Sequence, residues 1–240
     1  MASWFSRRRP LTEIPRLKPR NERISTTRVD LHELAPELLP YLGQAAYLQL
    51  DAFQTLSRVV AAMPDLAGKE QVTASAGIAL GKYQGFVAEI QRRGENAALV
   101  MQPYTAAVDT FRAVAEGADW RETLLGTYVT TGLLDDFFIR LAEGVPGDFG
   151  PRAAQLLGQD AGQDAVVAIL RAEISEDPQL ASRLAMWGRR LVGDTLLVAR
   201  SVLHRPESGL SISDEQQIEP IFTELIAAHT RRMDALGLTA

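Results

Sequence analysis

From Asp30 to its C-terminus the chain consists of long stretches whose apolar residues return in alternating steps of three and four. That spacing places them on one face of an α-helix, and the strict alternation of a half-buried strand is nearly absent. Proline and glycine divide the stretches. Helices are predicted at about 35–63, 69–94, 104–116, 119–144, 149–175, 178–204 and 214–236. Pro64 closes the first, Gly94 ends the second, and Pro103 opens the third. Asp119 is a candidate cap for the fourth, which Gly144 and Pro146 terminate. Pro178 suits the first turn of the sixth, and Ser213 can cap the last. Helices of these lengths predict an all-α fold, a helical bundle.

Four of the predicted helices carry an apolar seam with a polar interruption. On the first, Leu42, Ala46, Gln49, Phe53, Leu56 and Val60 share a face. On the second, Val72, Ala76, Ala79, Tyr83, Phe86 and Ile90 do. The fourth aligns Leu125, Val129, Gly132, Asp136 and Ile139, although Asp135 competes with Asp136 for the inward position. The fifth aligns Ala153, Leu156, Asp160, Gln163, Val167, Leu170 and Ile174, with Asp160 and Gln163 at i,i+3 on one side. Burying a neutral polar group without a partner costs on the order of 2–7 kcal/mol. Polar residues at similar depth in several helices are therefore expected to meet one another or a ligand.

Composition narrows the chemistry. With no Cys among 240 residues, disulfides, zinc–thiolate sites and cysteine catalysis are excluded. Only three His occur, His32, His204 and His229, and none lies on the four seams. There is no glycine-rich phosphate loop and no Gly-x-Ser-x-Gly, so nucleotide-binding and serine-hydrolase readings have no support. No apolar run approaches the roughly 18–20 residues of a membrane span. "SRRRP" near the N-terminus has no hydrophobic segment after it, and a cytoplasmic location is the expectation.

The net charge of −5 conceals an asymmetry. The first 28 residues hold eight basic and two acidic side chains, leaving seventeen basic against twenty-eight acidic in the rest. Residues 1–28, with Pro10, Pro15 and Pro19, read as a flexible basic arm on an acidic body spanning 29–240. Arg7, Arg8, Arg9, Arg16, Lys18 and Arg20, beside Trp4 and Phe5, are suited to RNA, an anionic membrane surface or an acidic partner.

The stretches "AAYLQLDAF" (45–53), "YVTTGLLDDFF" (128–138), "RLAMWGRRLVGDTL" (183–196) and "HTRRMDALGL" (229–238) carry a resemblance. The chain resembles the ferritin-like superfamily, and more closely the actinobacterial ferritin-like proteins related to the tRNA hydroxylase that acts on 2-methylthio-isopentenyl-adenosine. The resemblance implies a four-helix bundle with additional C-terminal helices. In the di-iron members, a carboxylate, Glu-x-x-His, a second carboxylate and an acidic-x-x-His face inward from successive helices.

Carried onto this chain, those positions fall on Gln49, on Leu80 and Tyr83, on Asp136, and on Asp160 and Gln163. Two acids and no imidazole remain, which leaves a single-metal or unusual site at Asp136 and Asp160 as the opposing reading. The resemblance thus implies that a hydrogen-bonded network of Gln49, Tyr83, Asp136, Asp160 and Gln163 replaces the metal, its acids protonated or paired with Arg. Two functions follow as expectations. One is a degenerate, metal-free binding or scaffold module without a cofactor. The other is a non-haem di-iron oxygenase acting on modified tRNA. Pairing through outer helix faces makes a homodimer a further expectation. Two more segments stand out: Arg190 and Asp194 at i,i+4, and His229, Arg231 and Arg232, which would suit an anion near the end of the last helix.

Overall fold

The computed structural model describes residues 34–145, 147–159, 162–203 and 212–240, with side chains in the last stretch from Ile218 onward. The helices are α1 (Leu38–Ala62), α2 (Leu66–Arg92), α3 (Ala97–Met101), α4 (Thr105–Ala115), α5 (Trp120–Ala142), α6 (Phe149–Leu157), α7 (Gln163–Glu176), α8 (Pro178–Val202) and α9 (Ile212–Ala235), with a 3-10 turn at Gln102–Tyr104. No strand occurs among the described residues.

Side-chain caps set several of the helix starts. Asp65 accepts from the Gly68 amide ahead of α2, and Asn96 accepts from Ala98 and Leu99 ahead of α3. Asp119 accepts from Arg121 and Glu122, as its position before the fourth predicted helix suggested. At α8, Asp177 caps and Pro178 stands in the first turn, where its missing N–H costs nothing.

One predicted helix is two. The stretch expected at 149–175 ends at Leu157 and resumes at Gln163. Gly158 closes α6 by donating to the Ala154 carbonyl at 2.8 Å. Gly162 precedes α7 with φ +67°, the left-handed region that an ordinary side chain resists. A Cβ there would also stand 2.6 Å from the Ser75 hydroxyl of α2. Two glycines within five residues outweigh the apolar periodicity, since each costs about 1 kcal/mol in a helix interior. The predicted seam through Asp160 and Gln163 is therefore not carried by one continuous helix, and Asp160 itself lies outside the described residues.

The three residues between α1 and α2 make these helices an antiparallel pair. Against α1 packs α5, which also touches α6, α7, α8 and α9. The core has two apolar parts. One gathers Tyr41, Phe86, Phe137, Phe138 and Phe149. The other gathers Val72, Leu124, Val129, Leu170 and Met233. The first takes the start of α1 and the end of α2, the second the end of α1 and the start of α2. The boundary between them lies near residue 49 of α1 and residue 82 of α2.

Candidate functional site

At that boundary three polar side chains meet. Asp135 of α5 accepts from Gln49 Nε2 of α1 at 2.7 Å through one oxygen. Its other oxygen accepts from Lys82 Nζ of α2, also at 2.7 Å. Exposure is 4% for Gln49, 1% for Lys82 and 7% for Asp135. A lysine this deep is rare without a partner, and here the partner is a carboxylate held in place by an amide. Burial pushes the Asp135 carboxyl up from its ordinary value, while the Lys82 ammonium and the Gln49 amide pull against that rise. Below this layer Tyr41 donates to the Phe138 carbonyl at 2.8 Å, and burial, assisted by the Asp135 charge, pushes its hydroxyl strongly upward.

The contact between Gln49 and Asp135 fixes which way the amide points. An ionised carboxylate only accepts, so the NH2 group must face Asp135. Gln49 Oε1 then faces away, and it has no hydrogen-bond partner among the described residues. Gln49 lines a recess between α1, α2, α5 and α7 together with Lys82, Asp135, Ser75 and Gln163. A second recess opens on the other side, toward α4, and shares Gln49 and Asp135. Its rim carries Arg112 paired with Asp51 at 3.2 Å.

The residues singled out from the sequence are divided by the fold. Gln49 stands in the polar layer. Tyr83 is half-buried and packs against the aromatic part of the core, while its neighbour Lys82 points to the polar layer. Asp136 does not face the bundle centre. Its carboxylate is 39% exposed and pairs with Arg232 of α9 at 2.7 Å. The inward position belongs to Asp135, about 100° round the helix. Gln163 begins α7 at the edge of the recess. Asp160 and the basic arm (Arg7, Arg8, Arg9, Arg16, Lys18 and Arg20) lie outside the described residues, as do His32 and His204.

Lys82, Asp135 and Ser75 were missing from the sequence-derived site. A signal for two of them was present: Ser75, Lys82 and Glu89 recur every seven residues and are all buried. Glu89 at the far end of that line pairs with Arg93 and with Arg152 of α6. On α9, His229 is 2% exposed and neither ring nitrogen has a partner, so burial lowers its pKa, with nearby Arg232 adding to the effect. Together with the Asp136 pair this removes His229 and Arg232 from the anticipated anion site. Arg190 stacks over Trp187, its guanidinium 5.5 Å from the ring.

These observations define a class: an all-α bundle with a charged, hydrogen-bonded layer across its middle. A family model described as a ferritin-like domain of actinomycetes matches residues 36–210, and the chain belongs to that family. Helix α9 lies beyond the matched region. No curated protein matches the chain.

The fold family raises the question of a di-iron centre, and among the described residues the donors do not fit one. Among the described residues no three His, Cys, Asp or Glu side chains gather where a metal ion could be held. The carboxylate at the centre, Asp135, already has a cation on one oxygen and an amide hydrogen on the other. A metal approaching it would have to displace Lys82, and like-charge repulsion opposes any approach beside it.

Proposed function

We propose that this ferritin-like chain is a metal-free member of its family, a binding or scaffold module. The observation that carries this reading is the Lys82 ammonium on Asp135, 2.7 Å away at the middle of the bundle. A tethered ammonium supplies the positive charge that a dication would otherwise bring to an inward carboxylate. Gln49, neutral and amide-bearing, stands where the family resemblance calls for another acid, so one cation balances one anion. A di-iron site needs about four carboxylates and two imidazoles; the buried Glu89, Glu122, Asp135 and His229 of the described interior do not gather into such a group.

The reading has an outer half as well. The basic segment 1–28 gives an acidic body a means of reaching an anionic partner. The bundle then acts as a rigid platform, and its middle is held together by charge pairing.

Elemental analysis tests the proposal. The protein is purified, loaded anaerobically with ferrous iron, desalted and measured. Less than about 0.1 iron per chain is expected. About two per chain, the stoichiometry of a di-iron centre, would refute the reading.

A further inference from the structure

The recess beside the polar layer is built with unused hydrogen-bonding capacity at two levels. Gln49 and Ser75 both line it, and Gln49 Oε1 and Ser75 Oγ both lack a partner among the described residues. Gln49 is 4% exposed and Ser75 1%, so neither oxygen is simply bathed by bulk water. Ser75 and Lys82 are seven residues apart on α2, two turns or about 10 Å along the axis. On α1, Gln49 faces the Lys82 level and Leu56 the Ser75 level, because the helices run antiparallel. Ala52 and Ala79 stand between the two levels and line the same space. The empty volume is about 480 Å³, solvent at the mouth included.

The charge at the inner level is already balanced, since Lys82 and Asp135 neutralise one another. A charged ligand would gain little there and would lose its hydration. The free group at that level is a carbonyl oxygen, which accepts only. At the other level is a hydroxyl, which donates or accepts. Between them Ala52, Ala79, Leu124 and Val166 give the recess a mostly apolar wall, with Thr127 and Thr131 also in its lining.

From this arrangement we infer that the recess binds a short, neutral, unbranched molecule with a hydroxyl or amide N–H at each end and an apolar middle. This rests on the binding-module reading and names the chemistry of what is bound. The inner end donates to Gln49 Oε1, and the outer end exchanges a hydrogen bond with Ser75 Oγ. A chain of about five carbons, with a hydrogen bond at each end, is on the scale of the roughly 10 Å between the two levels.

The test uses 1,5-pentanediol and 1-hexanol, which differ by the replacement of one hydroxyl with a methyl. Binding to the full-length protein, treated with chelator, is followed by amide chemical shifts during titration. In an ordinary apolar pocket the more hydrophobic hexanol binds tighter. Here the diol is expected to win by about fivefold, the worth of one net hydrogen bond. Ser75→Ala removes a hydroxyl without leaving a partner stranded. It should fold as the parent does and abolish or reverse the preference. Ala79→Met should block both probes, and the Ser75→Ala result stands whether or not that variant folds. The inference is overturned by equal or tighter hexanol binding, by an unchanged preference in Ser75→Ala, or by absence of binding, which would mean the recess holds ordered water only. Iron content is measured separately on protein that has not met chelator, so a failed ligand and a failed metal-free reading give different results.

Discussion

Lys82 brings a positive charge to the middle of a helical bundle, and Asp135 with Gln49 makes that tolerable. Removing one member of a buried pair strands the other, typically at about 3–5 kcal/mol. Lys82→Met is expected to cost that much in urea denaturation. Lys82→Met combined with Asp135→Asn should recover all but about 1 kcal/mol, because a neutral amide can still accept from Gln49. A loss below about 1 kcal/mol for the single change would contradict the buried pair. His229 gives a prediction with a direction in pH. Its folded pKa lies below the ordinary 6.5, so the unfolded chain takes up the proton first. Stability from this residue is complete above about 6.5 and declines as the pH falls from there toward the folded value. His229→Leu should flatten that part of the profile, read from urea midpoints between about pH 7.5 and 5.5. The sequence leads to Gln49 but misses its two partners by one position each. On α2 the seam through Tyr83 is a real buried face, yet a second buried line, Ser75–Lys82–Glu89, runs beside it because helices pack on both sides. On α5 nearly every face is covered, so apolar phase cannot separate Asp135 from Asp136.

Among the elements, α5 has the widest reach, and the join between α5 and α9 shows how closely its fit is drawn. Arg232 donates to the Gly132 carbonyl at 3.0 Å and to Asp136 at 2.7 Å. A Cβ on Gly132 would lie 2.4 Å from the guanidinium. Gly132→Ala should therefore push Arg232 off Asp136 and loosen α9, at a cost of about 1–3 kcal/mol. Faster hydrogen exchange in α9 than in α1 would show it, and unchanged exchange would contradict it. Helix limits were largely legible: α1, α2, α5, α8 and α9 begin and end within three residues of the predicted limits. Capping carboxylates account for the starts of α2, α5 and α8, with Pro178 assisting at α8. The division of α6 from α7 was not, because apolar spacing continues across Gly158 and Gly162 while the backbone does not. Reading the two glycines as a break would have detached Asp160 from the seam.

For the whole molecule, the separation of charge between residues 1–28 and the rest of the sequence survives any detail of the core. Deleting residues 1–28 is expected to remove salt-dependent binding to RNA or another polyanion, measured by filter binding at low and high salt. Retention of that binding would place it on the body. No described helix is long and apolar enough to cross a membrane. The bundle itself stands on two apolar clusters joined by one ion pair, and the account depends on the cation of that pair being Lys82. Anomalous diffraction from crystals soaked in ferrous iron, collected at the iron edge, tests this most directly. The account predicts unbroken density from Lys82 Nζ to Asp135 and no anomalous peak nearby. An iron peak about 2.0–2.2 Å from an Asp135 oxygen, with Lys82 swung aside, would contradict it.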